Sequence, residues 1–343
     1  MAAPLRFGLI GYGLWGRHHA AAIAAAPGAA LAGIACASAA TAAAARRDFP
    51  STPVTVDYRE LLARPDLDAV AVVVPNHLHA EVGVAALEAG KHVLLEKPMA
   101  TSLADCDRLL AAARTSGRVL TIGHELRHSA QYGRVKAMID AGEIGMPTYA
   151  AFSLFRFPFR PGSDGWRYDA ARVGSWILEE PVHFFDFMMW YFDRVGDPLS
   201  IRAVGDAGAR GAGLSDHFTA LLRFPGPAYA VITQTLGGFE YHQLLHVVGT
   251  GGAIRSWWSG VLDRTAEPRF ELRIDRRRGD GAETIPVERS GELAELGEQA
   301  RLVVDAFLRR RPLLSAEEAR KRIVVCLAAE RSRREGREVE LEF

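Results

Sequence analysis

A Gly-x-Gly-x-x-Gly turn, formed by Gly11, Gly13 and Gly16, lies between an apolar run at residues 5–10 and an alanine-rich stretch at residues 15–26. The spacing alone recurs by chance. A strand before it and a helix after it make it a dinucleotide-binding signature and commit the start of the chain to a βαβ unit. Gly11 permits the tight turn, Gly13 lets a pyrophosphate approach the backbone, and Gly16 lets helix and strand pack closely. The free N–H groups and positive dipole end of the helix then face the phosphates. Tyr12, Leu14 and Trp15, which sit between the glycines, belong to the same cradle.

The first third of the chain continues the alternation. Residues 31–36, 54–56, 69–74, 92–95 and 119–122 read as strands, with helical patterns between them that end at Gly90 and Gly117. The continuous apolar run Ala69–Val74 is that of a parallel strand covered on both faces. This alternation predicts an α/β, doubly wound parallel sheet. After about residue 123 the pattern changes to longer strands at 147–157, 199–205, 215–224, 228–236, 243–249, 253–258, 269–275 and 282–287. Runs of consecutive strands predict a mostly antiparallel sheet. Helices are expected near 130–141, 178–192, 291–310 and 315–335. At 343 residues, two domains are expected, with boundaries at 1–123 and 124–343.

Equal numbers of acidic and basic residues, 41 each, exclude a global cationic field for nucleic acid or an anionic membrane. No signal peptide and no apolar run long enough to span a bilayer is visible. Cys36, Cys106 and Cys326 are widely spaced and form no CxxC pair, which argues against a disulfide framework or zinc site and fits a reducing cytoplasm.

Two further constellations carry chemistry. Glu96-Lys97-Pro98 closes a strand of the parallel sheet, at the edge where such sheets bind ligands. A lysine there can bind a substrate oxygen and stabilise charge developing on it. Downstream, Glu179, Glu180, Pro181, His183 and Asp186 enter a helix. Pro181 is tolerated in a first turn, so a helix starting near Glu179 would set Glu179 and His183 on one face. A carboxylate beside a histidine orients it and favours its protonated form. The alternative on these residues is a carboxylate complementing the helix dipole and a histidine packed beside Phe184.

With Pro75-Asn76-His77-Leu78-His79 and Gly142-Glu-Ile-Gly-Met-Pro147, these motifs occur in order over nearly the whole chain. The sequence resembles the glucose–fructose oxidoreductase / inositol dehydrogenase / MocA (Gfo/Idh/MocA) family. The resemblance implies an N-terminal Rossmann domain and a C-terminal α+β domain with a large open sheet. It also implies NAD(P)-dependent oxidation or reduction of sugars, inositols or related compounds, and a homodimer or homotetramer. Carried onto this chain, Lys97 relays the proton or polarises the oxygen, His183 contacts the reacting hydroxyl, and Glu179 supports the relay. Glu179 replaces the family's usual aspartate, so the adjacent Glu180 is an alternative. Pro75, Asn76, His79 and Glu96 join the cofactor site. Read on residues alone, His77 and His79 are loop-capping groups or cofactor neighbours, and no metal site is expected.

The acidic residue that holds an NAD ribose at the end of the second strand is absent. Cys36, Ala37 and Ser38 stand there, which favours NADP with Ser38 as a phosphate contact. The segment Phe155–Asp169 is rich in aromatics, arginine, glycine and proline and reads as a substrate loop. Trp166 and Arg167 are its candidate substrate contacts, unless Trp166 packs in the core and Arg167 pairs at the surface; Arg127, at the start of the second domain, and Glu180 are further substrate candidates. Two other functions share this frame: a dinucleotide-binding regulator without chemistry, and an NAD-assisted glycosidase.

Overall fold

The computed structural model describes residues 3–206, 208, 213–261, 264–265 and 267–343. Its first sheet is built from β1 (Leu5–Ile10), β2 (Ala29–Ala35), β3 (Val54–Thr55), β4 (Ala69–Val72), β5 (His92–Glu96) and β6 (Leu120–Gly123). The helices α1 (Leu14–Ala25), α2 (Ala39–Asp48), α3 (Tyr58–Leu62), α4 (His79–Glu88) and α5 (Leu103–Ser116) connect them. The order β3-β2-β1-β4-β5-β6 is wholly parallel, the doubly wound arrangement the alternation required. Every residue of β4 and β5 is buried, because helices cover both faces. Ser102 caps the start of α5, and Gly117 ends it in the left-handed conformation that glycine adopts without a Cβ penalty.

After α6 (Tyr132–Asp140) and β7 (Pro147–Phe155) come three short helices, α7 (Ala170–Val173), α8 (Trp176–Glu179) and α9 (Val182–Tyr191). The strands β8 (Ser200–Gly205), β9 (His217–Arg223), β10 (Tyr229–Thr235), β11 (Tyr241–Gly249), β12 (Ala253–Gly260), β13 (Arg269–Asp275) and β14 (Glu283–Thr284) follow. The chain closes with α10 (Glu292–Leu308), α11 (Ala316–Glu335) and β15 (Val339–Glu340). The second sheet has nine strands in the order β14-β13-β12-β11-β7-β10-β9-β8-β15. All its pairings are antiparallel except β7 with β10, so the mostly antiparallel sheet is mixed at its centre.

One face of this sheet is closed by α9, whose residues Val182–Met189 are all buried. Phe184 stacks on Phe152 of β7 at 4.0 Å between ring centres. The C-terminal helices then return to the first sheet: Phe307 of α10 stacks on Phe7 of β1 and on His92 of β5. The last helices therefore clamp both layers. The helix expected over 178–192 is broken in two. Glu180 takes φ −125°, ψ −53°, outside the helical region, and Pro181, which has no N–H to continue α8, opens α9.

Candidate active site

The glycine turn has the shape its spacing predicted. Gly11 has φ +99°, and a Cβ there would lie 2.0 Å from the Val73 carbonyl oxygen; one at Gly16 would lie 2.0 Å from the Gly11 carbonyl oxygen. Both positions exclude a side chain. A Cβ at Gly13 would meet nothing within 4 Å, and the N-terminus of α1 there has no side-chain cap. An open cradle ending in uncapped helical N–H groups fits a dinucleotide pyrophosphate. Leu14 is half-exposed beside it. The Tyr12 side chain is buried and donates to Asp48 at 2.9 Å, so it braces the turn from behind.

Glu96, expected beside the cofactor, is instead an internal anchor. Its buried carboxylate binds His19 of α1 at 2.7 Å, accepts from the Lys97 amide at 3.1 Å, and is hydrogen-bonded by Trp15. Burial opposes its ionisation, yet His19, Lys97 and Trp15 hold its pKa below the usual carboxylate range. This network ties the glycine-turn helix to the end of β5. His79 is likewise structural: its ring lies 2.6 Å from the Pro98 carbonyl oxygen and 2.9 Å from that of Val74. It fastens the cis Lys97–Pro98 turn to the loop after β4. Pro75 opens a single 3-10 turn, Asn76–Leu78, in that loop. Ser38, expected as a phosphate contact, is the capping-box residue of α2, its hydroxyl engaged with Thr41.

Lys97 Nζ donates to the Glu179 backbone oxygen at 2.7 Å. Burial works against its charge, but Glu179, Glu180, Glu125 and Glu96 together outweigh that and raise its pKa above the ordinary lysine value. The ammonium is thus held charged by the acidic groups around it. The break in the helix redirects Glu179. Its carboxylate accepts from Asn76 Nδ2 at 3.0 Å and from Arg167 Nε at 2.5 Å, and it does not face His183. Glu179 therefore braces Lys97 from the chain side and joins the loop after β4 to the second half of the protein.

The Glu180 carboxylate pairs with Arg156 at 3.0 Å and accepts from the Tyr241 hydroxyl at 2.5 Å, and only its backbone oxygen meets His183, accepting from the His183 amide at 3.0 Å. Trp166 is buried in a small core with Phe159, Val173 and Trp176, and the Arg167 guanidinium lies over its ring. The aromatic loop expected to contact substrate thus packs on itself, and Arg167 is engaged by Glu179.

His183 lies in the first turn of α9, buried, with Nδ1 lacking any hydrogen bond. Burial, then Lys97 and His124, lower its pKa well below the usual imidazole value and keep it neutral. Its neighbours come from the end of β6, which sequence reasoning passed over. The His124 ring meets it edge-on at 5.3 Å, and Glu125 Oε1 is 3.7 Å from Nε2.

Below them lies a buried ion cluster. Asp186 accepts from Arg127 Nε at 2.7 Å and Nη2 at 2.6 Å, and from Arg322 Nε of α11 at 2.8 Å, with His124 Nδ1 3.7 Å away. Burial would raise the Asp186 pKa, but Arg127, His124 and Arg322 force it far below the usual range. Arg127 is thereby engaged by Asp186 and stacked over Trp190, rather than free for substrate. Among the described residues no group of three or more metal-ligating side chains occurs.

A family model described as "Oxidoreductase family, NAD-binding Rossmann fold" matches residues 5–124, and one described as "GFO/IDH/MocA C-terminal domain" matches residues 132–255. The chain is 33% identical over 226 residues to a 1,5-anhydro-D-fructose reductase of Ensifer adhaerens, covering 63% of this chain and 67% of that protein. It is 31% identical over 259 residues to a dTDP-3,4-didehydro-2,6-dideoxy-alpha-D-glucose 3-reductase of Saccharopolyspora spinosa, covering 74% of this chain and 71% of that one. Its fold matches that of an aldose-aldose oxidoreductase of Caulobacter crescentus with TM-score 0.84, 21% identity, 98% of this chain and 100% of that one.

Removing one member of a buried ion cluster strands the others. Replacing Asp186 by Ala leaves Arg127 and Arg322 unpaired inside the fold and should cost about 3–5 kcal/mol in a chemical denaturation series. A loss under about 1 kcal/mol would show that Asp186 does not hold these helices together.

Proposed function

The chain belongs to the Gfo/Idh/MocA family of NAD(P)-binding oxidoreductases, and from that premise we propose that it oxidises or reduces a CH–OH carbon of a sugar, inositol or sugar-derived substrate. What supports this reading is a charged Lys97 at the ligand edge of a parallel sheet, close enough to a neutral His183 to lower its pKa, beside a first turn that is an open anion cradle. The dinucleotide, when bound, supplies or accepts the hydride.

Lys97, kept charged by its carboxylates, hydrogen-bonds the reacting oxygen and stabilises the alkoxide character that develops there. A lysine with a raised pKa is a poor proton acceptor near neutrality, so Lys97 polarises and does not remove the proton. His183, kept neutral by burial, is the base that takes the hydroxyl proton in oxidation and returns it in reduction. Glu179 holds Lys97 in place through its backbone oxygen, while Asn76 and Arg167 fix its carboxylate.

The cofactor preference we propose is NADP. No carboxylate follows β2 to repel a 2′-phosphate, and the N-terminus of the ten-residue α2, beginning just after Ser38, offers a positive dipole end there. Ser38 contributes by forming that helix start. A second copy of the chain is proposed to cover the open face of the second sheet, where Leu244, His246 and Trp257 are only half-buried.

Lys97→Ala should reduce turnover about 10²–10³-fold while leaving reduced-dinucleotide binding intact by fluorescence titration; turnover close to that of the wild type would remove Lys97 from the chemistry. With any turned-over polyol or aldose, kcat/KM should be higher with NADP than with NAD, and a large NAD preference would overturn the proposed selectivity.

A further inference from the structure

Five carboxylates surround Lys97 and His183, and four are fully engaged. Glu96 is held by His19, Glu179 by Arg167 and Asn76, Glu180 by Arg156 and Tyr241, and Asp186 by Arg127 and Arg322. Glu125 is the exception. It follows β6, whose Gly123 pairs with Glu96 in the adjacent strand, so it stands at the same sheet edge as Lys97. It is 3% exposed. Among the described residues no side chain hydrogen-bonds it, its own backbone N–H is the donor that reaches it, its Oε2 has no partner, and its Oε1 lies 3.7 Å from His183 Nε2.

A buried carboxylate without a side-chain partner costs free energy unless it is protonated or has a task. Arg or Lys would satisfy a structural carboxylate; here the ionisable group within 4 Å is a histidine. The gap is longer than a hydrogen bond, but such contacts are often loose before substrate binds and tighten in the reacting complex.

Resting on the reaction proposed above, we infer that Glu125 is the proton partner of His183, a positioning residue that acts through the imidazole. In oxidation the substrate O–H bond breaks and its proton goes to His183. The dinucleotide, when bound, would accept the C–H electron pair as hydride. With Glu125 ionised, the imidazole N–H facing it then breaks as a carboxyl O–H bond forms, and His183 is again neutral. In reduction each transfer reverses, and Glu125 re-protonates the imidazole. The groups facing Glu125 favour its protonated form, the state that re-protonates the imidazole in reduction. Burial and the nearby Glu96 and Glu292 favour the acid, and Lys97 favours the carboxylate, leaving the pKa well above the usual value. His124, the remaining titratable neighbour of His183, is held to a pKa of about 4 by burial and contributes no competing base of ordinary strength.

Glu125→Gln keeps the shape and removes the exchangeable proton. Its kcat should fall about 100-fold at neutral pH, with KM within about twofold, and Glu125→Asp should recover part of the loss. Stability separates this role from a structural one. A carboxyl whose pKa is raised by folding binds its proton more tightly in the native state, so wild-type stability falls as pH rises above the unfolded value of about 4.3. The glutamine variant escapes that loss. Its Tm should match or exceed that of the wild type at pH 8, with the gap widening from pH 5 to pH 8. A kcat within about threefold of wild type, or a variant less stable at every pH, would overturn the inference. If a polyol and aldose panel yields no turnover with the wild type, the proposed reaction fails. The Tm gap then still decides whether Glu125 is a buried exchangeable acid, and a gap that does not change with pH refutes it.

Discussion

The site depends on one electrostatic constraint: an ammonium ion, partly withdrawn from water, is kept charged by carboxylates that are themselves buried. Each carboxylate near Lys97 would be costly alone, because taking an ion out of water is expensive. Each is tolerable because it has a cation or donor of its own, apart from Glu125. Glu96 reaches back to α1 and Glu179 reaches across to Asn76 and Arg167, so the electrostatics of Lys97 cannot form until both sheets and the loop after β4 are in place. Charge at the reacting oxygen is therefore tied to the assembly of the whole fold.

The second layer of the site rests on Asp186. A helix that is apolar all round, as α9 nearly is, can be fully buried. Its one acid must then be neutralised from outside. Arg127, from the turn after β6, and Arg322, from α11, do this. The result fixes His183 and the His124-Glu125 turn against each other. Arg127 thus shapes the chemistry by holding the strand end that carries Glu125 and not by touching substrate.

Much of this was legible in sequence where the signal is local. The glycine turn, the parallel sheet and the lysine at the end of β5 follow from spacing, from βαβ alternation and from the ligand edge of α/β sheets. What escaped is tertiary. Pro181 can open a first turn or end one, and the sequence reading of Glu179 and His183 on one helical face required the former to begin two residues earlier. In the fold, Glu180 leaves the helical region and the two side chains part. The partners of Arg127, Glu180 and Trp166 lie 59, 61 and 10 residues away, at Asp186, Tyr241 and Trp176, and no periodicity announces them. Glu125 could have been found: it follows β6 much as Lys97 follows β5, and the strand-end rule that singled out one applies to the other.

The direct test of the central constraint is the protonation of Lys97 itself, read by ¹⁵Nζ and ¹³Cε NMR of lysine-labelled protein across pH, with the Lys97→Ala spectrum supplying the assignment. If the surrounding carboxylates outweigh burial, the Lys97 ammonium persists beyond about pH 10.4, the ordinary lysine value. An ammonium that titrates near about pH 8 would mean that desolvation wins, that Lys97 is a base rather than a fixed charge, and that the division of labour between it and His183 is wrong.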